Sequence, residues 1–194
     1  MATGADVYVP PRAAAVIDAM FDEGRRRDPL FDEHAWGVAR LATAAGAHLG
    51  LTGPRLELLA FAARVHDLGK ALIPSAVMAK EGPLDDEEWR MIHEHPAVGA
   101  EILASCSAPP RAIDAVRSHH ERWDGAGYPH GLAGREIPLA GRIIAAADAY
   151  RAMVEPRSYR PRRTPAAARS EMLAQAGAQF DADCARAVVA ATAG

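Results

Sequence analysis

The sequence predicts an all-α fold, a compact helical bundle around one core, and three observations carry that expectation. Hydrophobic residues make up 49% of the 194, enough for a sizeable core. Only 6% are aromatic, and alanine, the best helix former, fills much of the apolar share. Apolar positions recur at helical spacing, as in Val16, Ile17, Met20 and Phe21, and proline, aspartate and glycine stand where helices start and stop.

Pro10-Pro11 opens a first helix through Arg27, which Asp28-Pro29 ends because proline disfavours helix in the residue before it. A second spans about Phe31 to Leu49 and is closed by Gly50. The third, about Pro54 to Asp67, is apolar nearly all round (Leu56, Leu58, Leu59, Phe61, Ala62, Val65), which places it centrally. Gly69 and Pro74 bracket an expected loop. Leu84-Asp85-Asp86-Glu87-Glu88 reads as a helix start with a capping aspartate and an acidic first turn. His95-Pro96 is expected to break or kink that helix before it resumes to about Ser105. Pro109-Pro110 introduces a helix ending near His119-His120. Glu121 to Pro138 is dense in glycine and proline and is expected to be an irregular loop; its ionisable and aromatic residues point to function. Leu139 to Val154 is helical, Thr164-Pro165 caps a helix to about Gly177, and Asp181 caps the last. Residues 1–29 read as an N-terminal extension and 30–194 as the principal domain.

A net charge of −3, from 22 basic and 25 acidic residues, argues against a general nucleic-acid binder. Charged residues interrupt every apolar stretch before membrane-spanning length, and Met1 to Pro10 lacks the features of a secretory signal. Cys106 and Cys184 form no pair motif, as in a reducing compartment. A cytoplasmic protein with neither membrane nor nucleic-acid partner is expected.

Histidine is the informative residue. His66-Asp67 follows the apolar run Leu58 to Val65, and two ionisable neighbours at the buried end of a core helix are costly unless paired or bound to a metal. On a helix such neighbours differ by about 100° in direction, which a carboxylate bridging two ions would satisfy; a salt bridge closing the helix is the simpler alternative. His119-His120 is a second pair at a helix end. Asp148 interrupts the apolar run from Ile143 to Ala147, where an unpaired carboxylate would be destabilising and a cation would offset that cost. Mixed oxygen and nitrogen donors suit iron, manganese, zinc or nickel.

Val65-His66-Asp67-Leu68-Gly69-Lys70 resembles the HD motif of the HD-domain metal phosphohydrolases. The stretch His119-His120-Glu121-Arg122-Trp123-Asp124-Gly125-Ala126-Gly127-Tyr128-Pro129 resembles the HHE-x-x-DG-x-GYP signature of the HD-GYP subfamily. Similarity continues through Gly131-Leu132, Ile137-Pro138, Ala147-Asp148 and Arg157 to Arg160, and covers roughly Phe31 to Val189.

The resemblance implies a helical bundle of the HD-domain type with a binuclear site in its core. It implies that His34, His66, Asp67 and Asp148 hold one divalent ion and that Asp67, His95, His119 and His120 hold the other, with iron or manganese as the metals. His95 is chosen over His93 because it lies in an H-P-x-x-G context with Gly99. The implied activity is hydrolysis of cyclic di-GMP to linear pGpG and on to GMP by attack of a hydroxide bridging the metals. Asp67 and Lys70 would serve catalysis, with Lys70, Arg157 and Arg160 touching substrate phosphates, the alternative for the two arginines being a solvated basic run with Arg162 and Arg163. Gly125 and Gly127 would position Tyr128 at the pocket rim to touch substrate, the alternatives being contact with a partner protein or packing of the loop onto the bundle. A homodimer or a signalling protein is the further partner expected. Two departures stand out. A glutamate that holds a third metal in some members is Leu30 here, and an aspartate usual three residues after the last carboxylate ligand is Arg151. A hydrolase for another cyclic nucleotide, or a module that binds without turnover, are the competing expectations.

Overall fold

The computed structural model describes residues 11–80, 82–155 and 162–193, with the side chains described from residue 13. Among them there is no β-strand; α1 (Pro11–Arg27), α2 (Phe31–His48), α3 (Pro54–Arg64) and the four-residue α4 (Ser75–Met78) precede α5 (Asp86–Ser105) and α6 (Pro110–Arg117). After a long loop come α7 (Leu139–Val154), α8 (Pro165–Ala174) and α9 (Ala182–Ala191). No described helix is long and apolar enough to cross a membrane.

Local chemistry accounts for most of these boundaries. Asp85 and Glu88 form a reciprocal capping box at the start of α5, with Asp85 Oδ1 accepting the Glu88 N–H at 2.9 Å and Glu88 Oε2 the Asp85 N–H at 2.8 Å. Thr164 caps α8, and Asp181 caps α9 by accepting from the amides of Asp183 and Cys184. The core is small and alanine-rich: Val38, Leu59, Leu68, Leu103, Ile143, Ile144 and Met172 are fully enclosed among many buried alanines. Small side chains let helices approach closely. A β-carbon on Gly141 of α7 would collide with the hydroxyl of Ser118, just past the end of α6. The first helix joins the same core through Ala13, Ile17 and Phe21, and Arg64 lies over the Phe21 ring at 3.7 Å.

Three expectations need correction. The third helix does not reach Asp67: it ends at Arg64, with Val65 leaving helical geometry, so His66 and Asp67 lie in the turn beyond. The 100° argument therefore does not apply to them. The expected loop between Gly69 and Pro74 is a tight 3-10 turn over Leu68–Leu72, fixed from outside. A β-carbon on Gly69 would overlap the carbonyl oxygen of His95 and stand 2.8 Å from the amide nitrogen of Gly99. Finally, of the break or kink expected at His95-Pro96, the break does not occur: α5 runs through Pro96. The proline lacks the N–H that would bond the carbonyl of Ile92, and the His95 side chain takes that carbonyl instead.

Candidate metal centre

Helix ends leave carbonyls without backbone partners, and the buried histidines use them. Two residues beyond α3, His66 places Nδ1 2.9 Å from the carbonyl of Ala63. Two residues beyond α6, His119 does the same with Val116 at 2.6 Å. His95, inside α5, finds the carbonyl that Pro96 leaves free, that of Ile92, at 2.5 Å. A carbonyl can only accept, so each ring carries its proton on Nδ1 and offers a bare lone pair at Nε2. All three side chains are essentially enclosed, at 1% exposure or less.

Those lone pairs converge. His95 Nε2 and His119 Nε2 stand 3.3 Å apart, a repulsive arrangement for two acceptors unless a cation lies between them. Asp67 meets them from the other side, with Oδ1 at 3.2 Å from His95 Nε2 and 3.7 Å from His119 Nε2. Its second oxygen faces elsewhere: Oδ2 is 3.4 Å from His66 Nε2 and 3.9 Å from His34 Nε2. Two donor groups result, Asp67 with His95, His119 and His120, and Asp67 with His34 and His66, each with its ligand atoms within 4.8 Å of one another. Asp148, two-thirds of the way along α7, adds Oδ1 at 3.0 Å from His34 Nε2 and 3.9 Å from His66 Nε2. Asp67 Oδ1 and His66 Nε2 are buried without a hydrogen-bond partner. Buried polar atoms in that condition are rare, and here both point into the cluster.

Electrostatics agree with the geometry. Burial holds His95 down to about 4 and lowers His119 and His120, so these rings are neutral, as ligands must be. Burial opposes the charge on Asp67, but the Lys70 ammonium is among the groups that outweigh it and keep the carboxyl well below its usual range. Asp148 is held low in the same way, chiefly by its hydrogen bond to His34. Neutral imidazoles at His95, His119 and His120 and ionised carboxylates at Asp67 and Asp148 are the donor set of a divalent transition-metal site. Burial disfavours the charge on His34, Asp148 and Glu155 push it up to about 10, and this ring gives up its proton to an ion bound there. The residues present therefore fit such a site.

Every ligand expected from the sequence, His34, His66, Asp67, His95, His119, His120 and Asp148, is thus drawn to one place. Lys70 stands beside them with Nζ 2.6 Å from Asp67 Oδ2. Tyr128 is sandwiched, its ring stacked on His120 (centroids 4.9 Å) and on His93 (4.2 Å), so His93 touches the loop next to the cluster. Leu30 is exposed, and neighbouring Asp32 is engaged by Arg25 and Arg64. Arg157 and Arg160 lie outside the described residues.

Two acids have roles that the sequence did not show, although Glu121 stands in the 119–129 signature. Glu121, 3% exposed, accepts the backbone N–H of His130 at 2.7 Å and of Leu132 at 3.1 Å, folding the loop back over its own start. That leaves no room for a side chain on Gly127, whose β-carbon would stand 2.6 Å from the carbonyl oxygen of His120. The loop is tied to the α8–α9 turn through Trp123 N–H to the Gln179 carbonyl and Asp124 N–H to that of Ala178. A cleft of about 230 Å³ opens here, lined by His119, His120, Arg122, Asp148 and Gln179 among others. Glu155, the second such acid, accepts from His34 Nδ1 at 2.7 Å.

The HD-domain family matches residues 18–184. The cyclic di-GMP phosphodiesterase response regulator RpfG of Xanthomonas campestris pv. campestris is 38% identical over 150 residues, 76% of this chain and 39% of that protein. The 3'3'-cGAMP-specific phosphodiesterase 2 of Vibrio cholerae is 38% identical over 138 residues, 70% of this chain and 26% of that protein. The chain therefore spans well under half the length of these relatives. Among solved structures, an HDG"Y"P protein from Bdellovibrio bacteriovorus matches with a TM-score of 0.71 at 18% identity, covering 94% of this chain and 61% of that one. The HD domain of the L. monocytogenes phosphodiesterase PgpH matches with 0.63 at 20% identity, covering 89% and 94%. These structures share the fold, the family's domain spans most of the chain, and the 119–129 segment carries the longer signature: the chain belongs to the HD-domain family, in its HD-GYP branch.

Proposed function

We propose that the chain is a metal-dependent phosphodiesterase that opens cyclic di-GMP to linear pGpG. The observation that carries the reading is the division of Asp67, with Oδ1 toward His95 and His119 and Oδ2 toward His66 and His34. On this reading His34, His66, Asp67 and Asp148 hold one divalent ion, and Asp67, His95, His119 and His120 hold a second, iron or manganese in each place. Such a pair supplies Lewis-acid polarisation of a phosphodiester and lowers the pKa of water between the ions.

The chain's own groups do the rest. Three Nδ1–carbonyl bonds fix imidazoles that would otherwise turn. Lys70 keeps Asp67 ionised and sets a cation beside the place where phosphate charge develops. Burial and the Asp67 and Asp148 charges raise Tyr128, so its hydroxyl stays a proton donor, suited to a phosphate oxygen. Arg157 and Arg160 are offered as further phosphate contacts.

The test is turnover of cyclic di-GMP by protein loaded with Fe2+ or Mn2+, against the chelated sample. Metal-dependent appearance of pGpG is expected; fully loaded protein that binds cyclic di-GMP and releases no product overturns the reading. A second substrate has a specific observation in its favour, the 38% identity to a relative named for 3'3'-cGAMP. Cleavage of that dinucleotide alone would reassign the substrate while leaving the chemistry intact.

A further inference from the structure

His34 breaks the rule its neighbours follow. His66, His95 and His119 each turn Nδ1 to a carbonyl three residues back, at a helix end or beside a proline. His34 lies in the first turn of α2, where N–H groups, not carbonyls, lack partners. No backbone acceptor is available to its ring there. Glu155 supplies one, from 121 residues away, with Oε2 2.7 Å from Nδ1. Asp148 and Glu155 are two helical turns apart. The segment that brings a carboxylate to Nε2 of His34 therefore brings another to Nδ1, and the ring is gripped at both ends.

Glu155 is itself held. Arg151, one turn earlier, pairs with its Oε1. The guanidinium lies flat against α2 at Gly37, where a β-carbon would stand 2.5 to 2.6 Å from its Nη2, Cζ and Nε. Gly37 is three residues after His34, on the same face of α2. Arg151 stands where the HD-GYP pattern has an aspartate, so the departure comes with a glycine that admits it and a glutamate that it orients.

We infer that Glu155, held by Arg151, is a positioning residue that fixes His34 with Nε2 turned to the cluster and so sets the affinity of the ion bound by His34, His66 and Asp67. This rests on the two-ion reading above. The experiment is calorimetric titration of the metal-free full chain with Mn2+ or Zn2+, for wild type, Glu155→Ala and Glu155→Gln. Two binding steps are expected in wild type. In Glu155→Ala one step should weaken by about 10- to 100-fold with the other unmoved. Glu155→Gln, whose amide oxygen still accepts from Nδ1–H, should recover most of the loss. Nitrogen-15 spectra of the Zn2+-loaded protein should show the His34 Nδ1 proton in a strong hydrogen bond in wild type, lost in Glu155→Ala. Two wild-type steps that Glu155→Ala leaves alone, or shifts equally, would overturn the inference and spare the metal reading. Fewer than two wild-type steps would overturn the metal reading, and this inference with it.

Discussion

The Nδ1 of His95 lies 2.5 Å from the carbonyl oxygen of Ile92, and Pro96 is the reason that oxygen is free. In an uninterrupted helix the carbonyl would accept the amide of residue 96. A residue that ordinarily breaks helices here gives one imidazole a fixed tautomer.

Replacing Pro96 with alanine should therefore separate stability from metal binding. The restored N–H competes for the Ile92 carbonyl and loosens His95, while a proline is removed from a helix interior. The melting temperature is expected to hold or rise, and the affinity for the ion on His95, His119 and His120 to fall by about tenfold. Unchanged metal affinity in a folded Pro96→Ala protein would show that the carbonyl does not orient the ring.

Asp67 is the one residue common to both donor groups. Asp67→Ala is expected to empty both positions and abolish turnover, where loss of a ligand from one group alone should leave the other partly filled. His48→Ala and His130→Ala, outside both groups, should keep wild-type metal content by elemental analysis. Retention of one ion per chain in Asp67→Ala would mean that the carboxylate serves a single metal.

How much of this was legible beforehand follows from the range of each interaction. The capping box at Asp85 and Glu88 and the caps at Thr164 and Asp181 act within three residues, and a sequence displays them directly. The ligands were readable because their motifs are contiguous. The fates of Glu121, Glu155 and Arg151 were not, since each depends on a partner brought near by packing; His34 and Glu155 are 121 positions apart. Beyond the early end of the third helix, Gly69 brings its backbone against α5, a contact that no local pattern reports.

The buried imidazoles predict an unusual acid response in the metal-free protein. Burial depresses His95 to about 4 and lowers His119 and His120, against about 6.5 in an unfolded chain. Between pH 6.5 and 4 the unfolded chain binds protons that the folded one refuses, so stability falls as pH falls through that window. The slope is about 1.4 kcal/mol per pH unit for each fully shifted group. His34 works oppositely: burial disfavours its charge, but Asp148 and Glu155 push it up to about 10. Its contribution is complete below 6.5 and is lost as pH rises through about 10. Urea melts should give a lower midpoint at pH 5 than at pH 7; equal midpoints would mean that these rings are not held neutral.

Glu121 offers a way to disturb the loop without touching a ligand atom. Removing its carboxylate leaves the amides of His130 and Leu132 without their acceptor. Glu121→Ala should cost on the order of 3 kcal/mol and release Tyr128 from its place between His93 and His120. Metal content is expected to stay near wild type, with catalytic efficiency falling at least tenfold. Loss of both ions in this variant would instead make Glu121 part of the metal site.

Gly69 is where the metal site meets the fold. His66 and Asp67 precede it in one turn, His95 sits on α5 opposite, and the two backbones touch with no side chain between them. Gly99 answers from α5, its own β-carbon position 3.2 Å from the Gly69 amide nitrogen. A methyl group on Gly69 must push the turn and the helix apart, and the 3.2 Å between Asp67 Oδ1 and His95 Nε2 lengthens with them. Gly69→Ala is therefore expected to cost about 3 kcal/mol through overpacking and to weaken the ion shared by Asp67 and His95 even in the fraction that stays folded. Gly82→Ala is the control, since a β-carbon there meets nothing within 4 Å. If melting and metal titration found the two alanine variants alike, the close approach at Gly69 would not be what brings Asp67 to His95.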